Sequence, residues 1–242
     1  MKGPSNRRTA AQASGDLRRL ANPRKAKLLA GFFKTGPGQY GAGDKFLGVM
    51  VPQTRTVAKR HRDLSLPEVS KLLRSPWHEE RLLALLILVD RAGRAGSDRP
   101  TAECYRFYVR HMRYINNWDL VDLTAPQIIG AYLADKPKGI LFRWVRSKRL
   151  WDRRVAVLAT FWFVRERRFT ETLRLARVLL RDREDLMHKA GGWMLREVGK
   201  RDEKALRRFL DQNASRMPRT MLRYSLERLK PGARKHYLRL DA

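Results

Sequence analysis

The segment Asn117-Trp118-Asp119-Leu120-Val121-Asp122 places an aromatic ring and two carboxylates within five residues, in a stretch whose other side chains are mostly core-like. On a helix, Trp118 and Asp122 are i and i+4 and share a face. The chemistry open to such a pair is electrostatic, because an acid on so basic a chain is a candidate for more than solubility. Asn117 suits an N-cap, since its side chain can accept from the first free backbone N–H groups. Pro126 cannot donate to the carbonyl of Asp122, so the helix kinks there or a new one starts. The same residues also fit a plainer role, with Trp118 in a core and Asp122 capping the helix or pairing with an arginine.

Two further constellations stand out. In Trp151-Asp152-Arg153-Arg154 the consecutive arginines point about 100° apart on a helix, so at most one faces a given surface squarely. In the run from Met187 to Arg196, Gly191 and Gly192 each cost about 1 kcal/mol relative to alanine inside a helix. That cost implies close approach of another backbone, either a packed helix or DNA. Trp193 beside them is either core or exposed to that partner, and Arg196 is a candidate phosphate contact. His188 has no second ligand at i+4 and reads as structural rather than metal-bound. The sequence holds no H-E-x-x-H, no G-x-S-x-G, no zinc-deaminase pattern and no cysteine beside a plausible base. The glycine-rich loop from Lys34 to Asp44 lacks the G-K-[ST] ending of a phosphate loop. No cofactor or metal is expected.

Composition names the class of partner. Lys and Arg total 53 against 24 acids, a net charge of +29 over 242 residues. Self-repulsion on that scale implies a polyanionic partner. The basic residues are spread along the chain, so the fold itself is expected to build the binding surface. Nucleic acid is the first expectation and an anionic membrane surface the second, although nothing resembles an isolated basic amphipathic anchor. Cys104 is the single cysteine, which excludes a disulfide framework and a cysteine-rich zinc site and fits a reducing compartment. The longest apolar run, Leu82 to Val89, is too short to span a bilayer. The first residues lack the apolar stretch of a secretory signal. The reading is a cytoplasmic, nucleoid-associated protein, likewise monomeric, with no membrane partner.

The elements that must position these residues follow a period. Helical segments are predicted to open near Pro67, Thr101, Pro137, Thr170 and Glu203, each followed by a second opening near Trp77, Asn117, Leu150, Asp185 and Met217. Apolar residues recur at helical spacing in both sets, and no strand pattern competes. Upstream, a helix is expected from near Asp16 through Leu29, interrupted around Asn22-Pro23, and a basic helix after Pro52 carries Arg55. Paired helices repeated at this spacing predict an all-α solenoid of HEAT-like repeats with a curved, basic concave surface. Residues 1–15 are expected to form a flexible basic terminus and residues 16–242 a single domain. The second helices would line one side of the solenoid, bringing Arg81, Trp118, Asp122, Arg153, Arg154, Trp193 and Arg219 to a cradle suited to duplex DNA.

From about Phe33 to Leu238 the chain resembles the DNA alkylation repair family of AlkD-like DNA glycosylases. The resemblance is carried by Lys45-Phe-Leu-Gly-Val, Asn117-Trp-Asp-Leu-Val-Asp122 with Pro126, Trp151-Asp-Arg-Arg154, Gly192-Trp-Met-Leu-Arg-Glu-Val-Gly-Lys-Arg-Asp202, and Met217-Pro-Arg-Thr-Met-Leu-Arg-Tyr224. It implies excision of positively charged alkylated purines, 3-methyladenine and 7-methylguanine, from duplex DNA. It implies catalytic positions at Trp118 and Asp122 with Arg154 as their partner, and Trp193 as a second cradle aromatic. Tyr40 corresponds to a family tyrosine near the lesion, although its glycine-rich loop differs in length. Arg55, Arg81, Arg153, Lys189, Arg196 and Arg219 are the expected further DNA contacts. The alternative is a non-catalytic HEAT-repeat protein that binds bent or branched DNA. A basic repeat protein for RNA or protein partners ranks last.

Overall fold

The computed structural model describes residues 8–94 and 98–240. Among them the one extended pairing is an isolated bridge between Lys45 and Trp77; the regular structure is otherwise helical. The chain divides into two compact units, Met1–Thr124 and Ala125–Ala242. The architecture is all-α and solenoid-like, built from paired helices.

The first unit contains α1 (Ala10–Arg18), α2 (Pro23–Phe32), α3 (Val51–Arg60), α4 (Leu66–Leu73), α5 (His78–Arg94), α6 (Asp98–His111) and α7 (Trp118–Asp122). Its centre is α5. The run from Leu82 to Leu88 is apolar around the whole helix and every one of those side chains is buried, as expected of a helix packed on all sides. Helices α3, α4, α6 and α7 pack against it. The loop from Phe46 to Val49 is fastened to the start of α5 by the buried carboxylate of Glu79, which accepts from the backbone N–H of Leu47 (2.9 Å), Gly48 (2.8 Å) and Val49 (3.2 Å). Gly48 has φ +82°, and a Cβ there would strike the backbone of Asn22, so the loop can lie against the start of α2 only with glycine.

The second unit begins with a π-helical turn at Pro126–Gly130, followed by α8 (Ala131–Leu133), α9 (Gly139–Trp144), α10 (Leu150–Ala159), α11 (Phe161–Arg165), α12 (Thr170–Leu179), α13 (Asp185–Gly199), α14 (Glu203–Asn213), α15 (Arg219–Leu226) and α16 (Pro231–Arg239). Here α13 is central, with α10, α12, α14 and α15 packed on it. Its small stripe Ala190-Gly191-Gly192 is buried.

The predicted openings fall within two residues of α4, α9, α12 and α14 for the first helices, and of α5, α7, α10, α13 and α15 for the second; the segment expected near Thr101 belongs to α6, which starts at Asp98. One difference is local. The expected upstream helix is two helices, parted at Asn22-Pro23 as anticipated, but α1 starts at Ala10 instead of near Asp16. Thr9 and Gln12 cap it reciprocally, the Gln12 side chain accepting from Thr9 N–H (2.8 Å) and Thr9 Oγ1 accepting from Gln12 N–H (3.3 Å), the capping box of the Ser/Thr-x-x-Glu/Gln pattern. The expected loose N-terminal segment lies outside the described residues up to position 7. The helix after Asn117 ends at Asp122 and the chain re-enters helical geometry at Ala125, the break anticipated at Pro126, because proline cannot complete the earlier ladder. Among the described residues no helix is long and apolar enough to cross a membrane.

Candidate functional site

Helix α7 starts where Asn117 turns extended (φ −148°) and its side-chain oxygen accepts from the backbone N–H of Trp118 at 2.8 Å, as the sequence anticipates. This cap sets the phase of the helix. Asp119, Leu120 and Val121 turn into the interior, while Trp118 and Asp122 stay half-buried. The indole of Trp118 stacks on Phe33 at 5.0 Å with 18° between planes and meets Phe32 edge-on at 5.8 Å. Behind it Phe33 stacks on Phe46 (5.1 Å, 20°) and Phe46 on the imidazole of His78 (4.7 Å, 21°). Offset stacking of this kind holds an indole rigidly while leaving part of its surface accessible. Phe32 is 63% exposed. On the other side, the fully buried phenol of Tyr108 bonds Thr124 (3.2 Å). Burial, and after it the negative charge of Asp122, raise the phenol well above the usual tyrosine range.

Beneath the rings lies a buried ionic network. His78 Nε2 bonds Asp119 at 2.8 Å and His78 Nδ1 bonds Asp44 at 3.2 Å. Arg81 donates to Asp44 (2.7 Å) and to the carbonyl of Ser75 (3.0 Å), and Asn117 donates to Asp44 (3.2 Å). Burial alone would depress the imidazole, but the charges and hydrogen bonds of Asp119 and Asp44 overcome it and push His78 up to about 8. Burial likewise opposes ionisation of Asp44, and its contacts with His78 and Arg81 hold it below the ordinary carboxylate value. The network ties together the end of the glycine-rich loop, the start of α5 and the first turn of α7. It therefore fixes the backbone that carries Trp118 and Asp122. Arg81, expected as a DNA contact, is only 5% exposed. Its guanidinium serves this network, because leaving Asp44 unpaired in the interior would be costly.

In the second unit the two arginines of α10 part as their 100° spacing requires. Arg153 pairs with Asp182 (2.8 Å) and donates to the carbonyls of Ser147 and Lys148. Arg154 is buried and donates to the carbonyl of Leu186 at 2.7 Å, at the first turn of α13. Trp193 is half-buried with its ring 6.0 Å from Phe161. The glycines before it are explained by helix packing: a Cβ on Gly192 would lie 2.5 Å from the carbonyl oxygen of Met221 and from Cβ of Tyr224, both on α15. His188 bonds the carbonyl of Asp182 (2.7 Å), the structural part anticipated for it.

The remaining expected contacts are scattered over both units. Arg55 is exposed on α3. Tyr40 is half-buried, its hydroxyl 3.5 Å from the carbonyl of Phe32. Lys189 pairs with Asp185 at 2.9 Å and lines a cleft of about 370 Å³ together with Arg223 and Arg234. Arg196 pairs with Glu227, and exposed Arg219 donates to the carbonyl of Leu238 (3.1 Å). Sequence reasoning missed Phe32, Phe33, Asp44 and His78 as parts of the Trp118 site, and counted Asp119 among its carboxylates without giving it a role. The available signals were two consecutive phenylalanines before the loop, and a His-Glu-Glu-Arg cluster opening an otherwise apolar helix.

Comparison with known proteins identifies the family. Comparison with curated proteins finds no match. Among solved structures the chain is similar to a predicted DNA alkylation repair enzyme from Enterococcus faecalis, at 15% identity and a TM-score of 0.68, over 87% of this chain and 97% of that one. Identity at that level bears on the fold alone. The model of the DNA alkylation repair enzyme family matches residues 13–229. With nearly the whole chain matched, the protein belongs to the DNA alkylation repair enzyme family and its role lies in DNA repair.

Proposed function

We propose that the protein is a monofunctional DNA glycosylase that hydrolyses the N-glycosidic bond of positively charged alkylated purines, such as 3-methyladenine and 7-methylguanine, in duplex DNA. The observation that carries this reading is the Trp118–Asp122 pair: a rigidly stacked, half-buried indole with a half-buried carboxylate one turn later on the same short helix, in a chain of net charge +29. An N3- or N7-alkylated purine already carries positive charge, so it departs as a neutral base without a general acid. The sugar left behind is an oxocarbenium ion at C1′. The Asp122 carboxylate stabilises that developing charge and orients the attacking water, a preorganised electrostatic contribution. The face of Trp118 attracts the same cationic groups, and a desolvated contact of that kind contributes about 2 kcal/mol. In the second unit Trp193 is proposed as a DNA-facing aromatic, with buried Arg154 holding the start of its helix through the Leu186 carbonyl, and Arg55, Lys189, Arg196 and Arg219 are proposed as phosphate contacts. No cofactor is required by this chemistry.

The test is single-turnover release of 7-methylguanine from methylated duplex by the wild type and Asp122→Asn, with duplex affinity measured at fixed salt. The substitution keeps the shape and removes the charge. The expected result is a rate about a hundred- to a thousandfold lower, the usual range for one preorganised electrostatic group, with binding to undamaged duplex unchanged or slightly tighter. Near wild-type release by Asp122→Asn would reduce that residue to a cap or ion-pair partner. Absence of release by the wild type itself would favour the non-catalytic alternative, a repeat protein recognising bent or branched DNA.

A further inference from the structure

A second feature of the Ala125–Ala242 unit has no part in the chemistry above. Arg146, Arg177, Arg181 and Arg216 line one cleft of about 540 Å³, together with the buried Asn213. They come from the C-terminal ends of α9, α12 and α14, the first helices of their pairs, whereas Arg154 and Trp193 sit on the second helices α10 and α13. Among the described residues no acid lines the cleft. All four arginines are exposed, and none forms an ion pair among the described residues. The nearest acids in the sequence are engaged elsewhere, Asp182 with Arg153 at 2.8 Å and Asp211 with the hydroxyl of Tyr237 at 2.6 Å.

Basic side chains do belong at helix C-termini, where they complement the dipole and the last carbonyls. Arg146 does this for Phe142 (2.6 Å), and Arg216 reaches the side chain of Asn213 (2.9 Å). That role needs one donor per helix end, and a guanidinium carries five. The convergence of four such groups on one concavity, without a carboxylate, leaves a dense array of donors directed at solvent. Planar guanidinium forks match phosphate oxygens in pairs.

The geometry points to a binding site in this cleft for a ligand bearing adjacent phosphate groups, built from residues other than those of the candidate site at Trp118. Two sources carry that chemistry: consecutive phosphodiesters of a nucleic acid strand, and a nucleoside polyphosphate. The inference goes beyond the glycosylase reading and does not depend on it.

The experiment uses the full chain at about 0.15 M salt, so that exposed charges are largely screened. Binding of inorganic tripolyphosphate, of ATP and of an undamaged DNA duplex is measured for the wild type, for Arg146→Gln/Arg181→Gln, and for a charge-matched control, Arg106→Gln/Arg110→Gln, at exposed positions of α6. Tripolyphosphate is expected to bind saturably, to lose about tenfold or more in affinity with the cleft variant, and to hold in the control. A duplex affinity that falls alongside, with tripolyphosphate displacing duplex, identifies a strand backbone. ATP binding that is lost in the cleft variant while duplex affinity holds identifies a nucleotide. Non-saturable tripolyphosphate binding, or equal losses in both variants, would show only diffuse positive charge and overturn the site. Tripolyphosphate binding with neither ATP nor duplex affected would overturn the ligand class. Release of 7-methylguanine by the same variants is read separately, so a failure of the glycosylase reading and a failure of this one are distinguishable.

Discussion

Trp118 and Trp193 are both half-buried indoles on second helices of their pairs, yet different forces hold them. Trp118 rides on a five-residue helix that is too short to be stable by itself. Its position is set by a stack of rings and by the buried Asp44–His78–Asp119 network beneath them. Trp193 rides on a fifteen-residue helix whose position is set by direct backbone approach, with Gly191 and Gly192 allowing α15 to close on α13. One tryptophan is positioned by charge, the other by volume. A short helix offers little apolar surface, so a local ionic anchor does what packing area does for a long one. The two mechanisms differ in what should disturb them.

The largest expected effect on stability is at His78. His78→Leu leaves Asp119 and one face of Asp44 buried without their partner, and such broken pairs typically cost about 3–5 kcal/mol. Denaturant unfolding should show that loss in the melting of the Met1–Thr124 unit, and adding Asp119→Asn should recover part of it. A loss below 1 kcal/mol, by the usual range for exposed pairs, would mean that the rings alone hold Trp118.

Gly192→Ala attacks the other mechanism. The added methyl would lie 2.5 Å from a backbone oxygen and from Cβ of Tyr224, neither of which is a flexible side-chain end. Helix propensity would favour alanine by about 1 kcal/mol, but overpacking of this kind should dominate and give a net loss of about 2 kcal/mol. The same loss should appear at every pH. An unchanged or raised melting temperature would show that α15 can withdraw and that volume does not set the position of Trp193.

No larger than this is the pH dependence that separates the two. His78 has its folded-state value raised to about 8 from 6.5. A raised value contributes stability that is fully present below the unfolded value and is lost as pH rises through the folded one. The window is therefore from about 6.5 to just above 8, and the contribution lost across it is on the order of 2 kcal/mol. Asp44, whose value is depressed, works in the opposite direction and weakens the fold only on acidification below the ordinary carboxylate range. Comparing unfolding at pH 6 and pH 9 should show the loss in the wild type and in Gly192→Ala, and its absence in His78→Gln. Equal losses in wild type and His78→Gln would place the titration elsewhere.

Much of this organisation is legible in the chain itself. The repeat of helix openings, the all-α class, the cap at Asn117 and the break at Pro126 all follow from local rules of periodicity, capping and proline geometry, which act within a few residues. The i, i+4 relation of Trp118 and Asp122 is of the same kind, and the family resemblance rests on short motifs in order. The glycine pair on α13 announced a close approach, but not whether helix or DNA made it. What only tertiary structure decided are relations across long sequence separations. Asp44, His78 and Asp119 meet from positions 34 to 75 residues apart in the chain, and nothing in the spacing of three polar residues says that they share one interior. The same holds for Arg81, which by helical position belonged to an outward face and by its contact with Asp44 belongs to the core. Local preferences determine which elements form, because their energies depend on neighbours in sequence. Which charges become partners depends on how those elements pack, since a buried ion is stable only where the fold delivers its counterion.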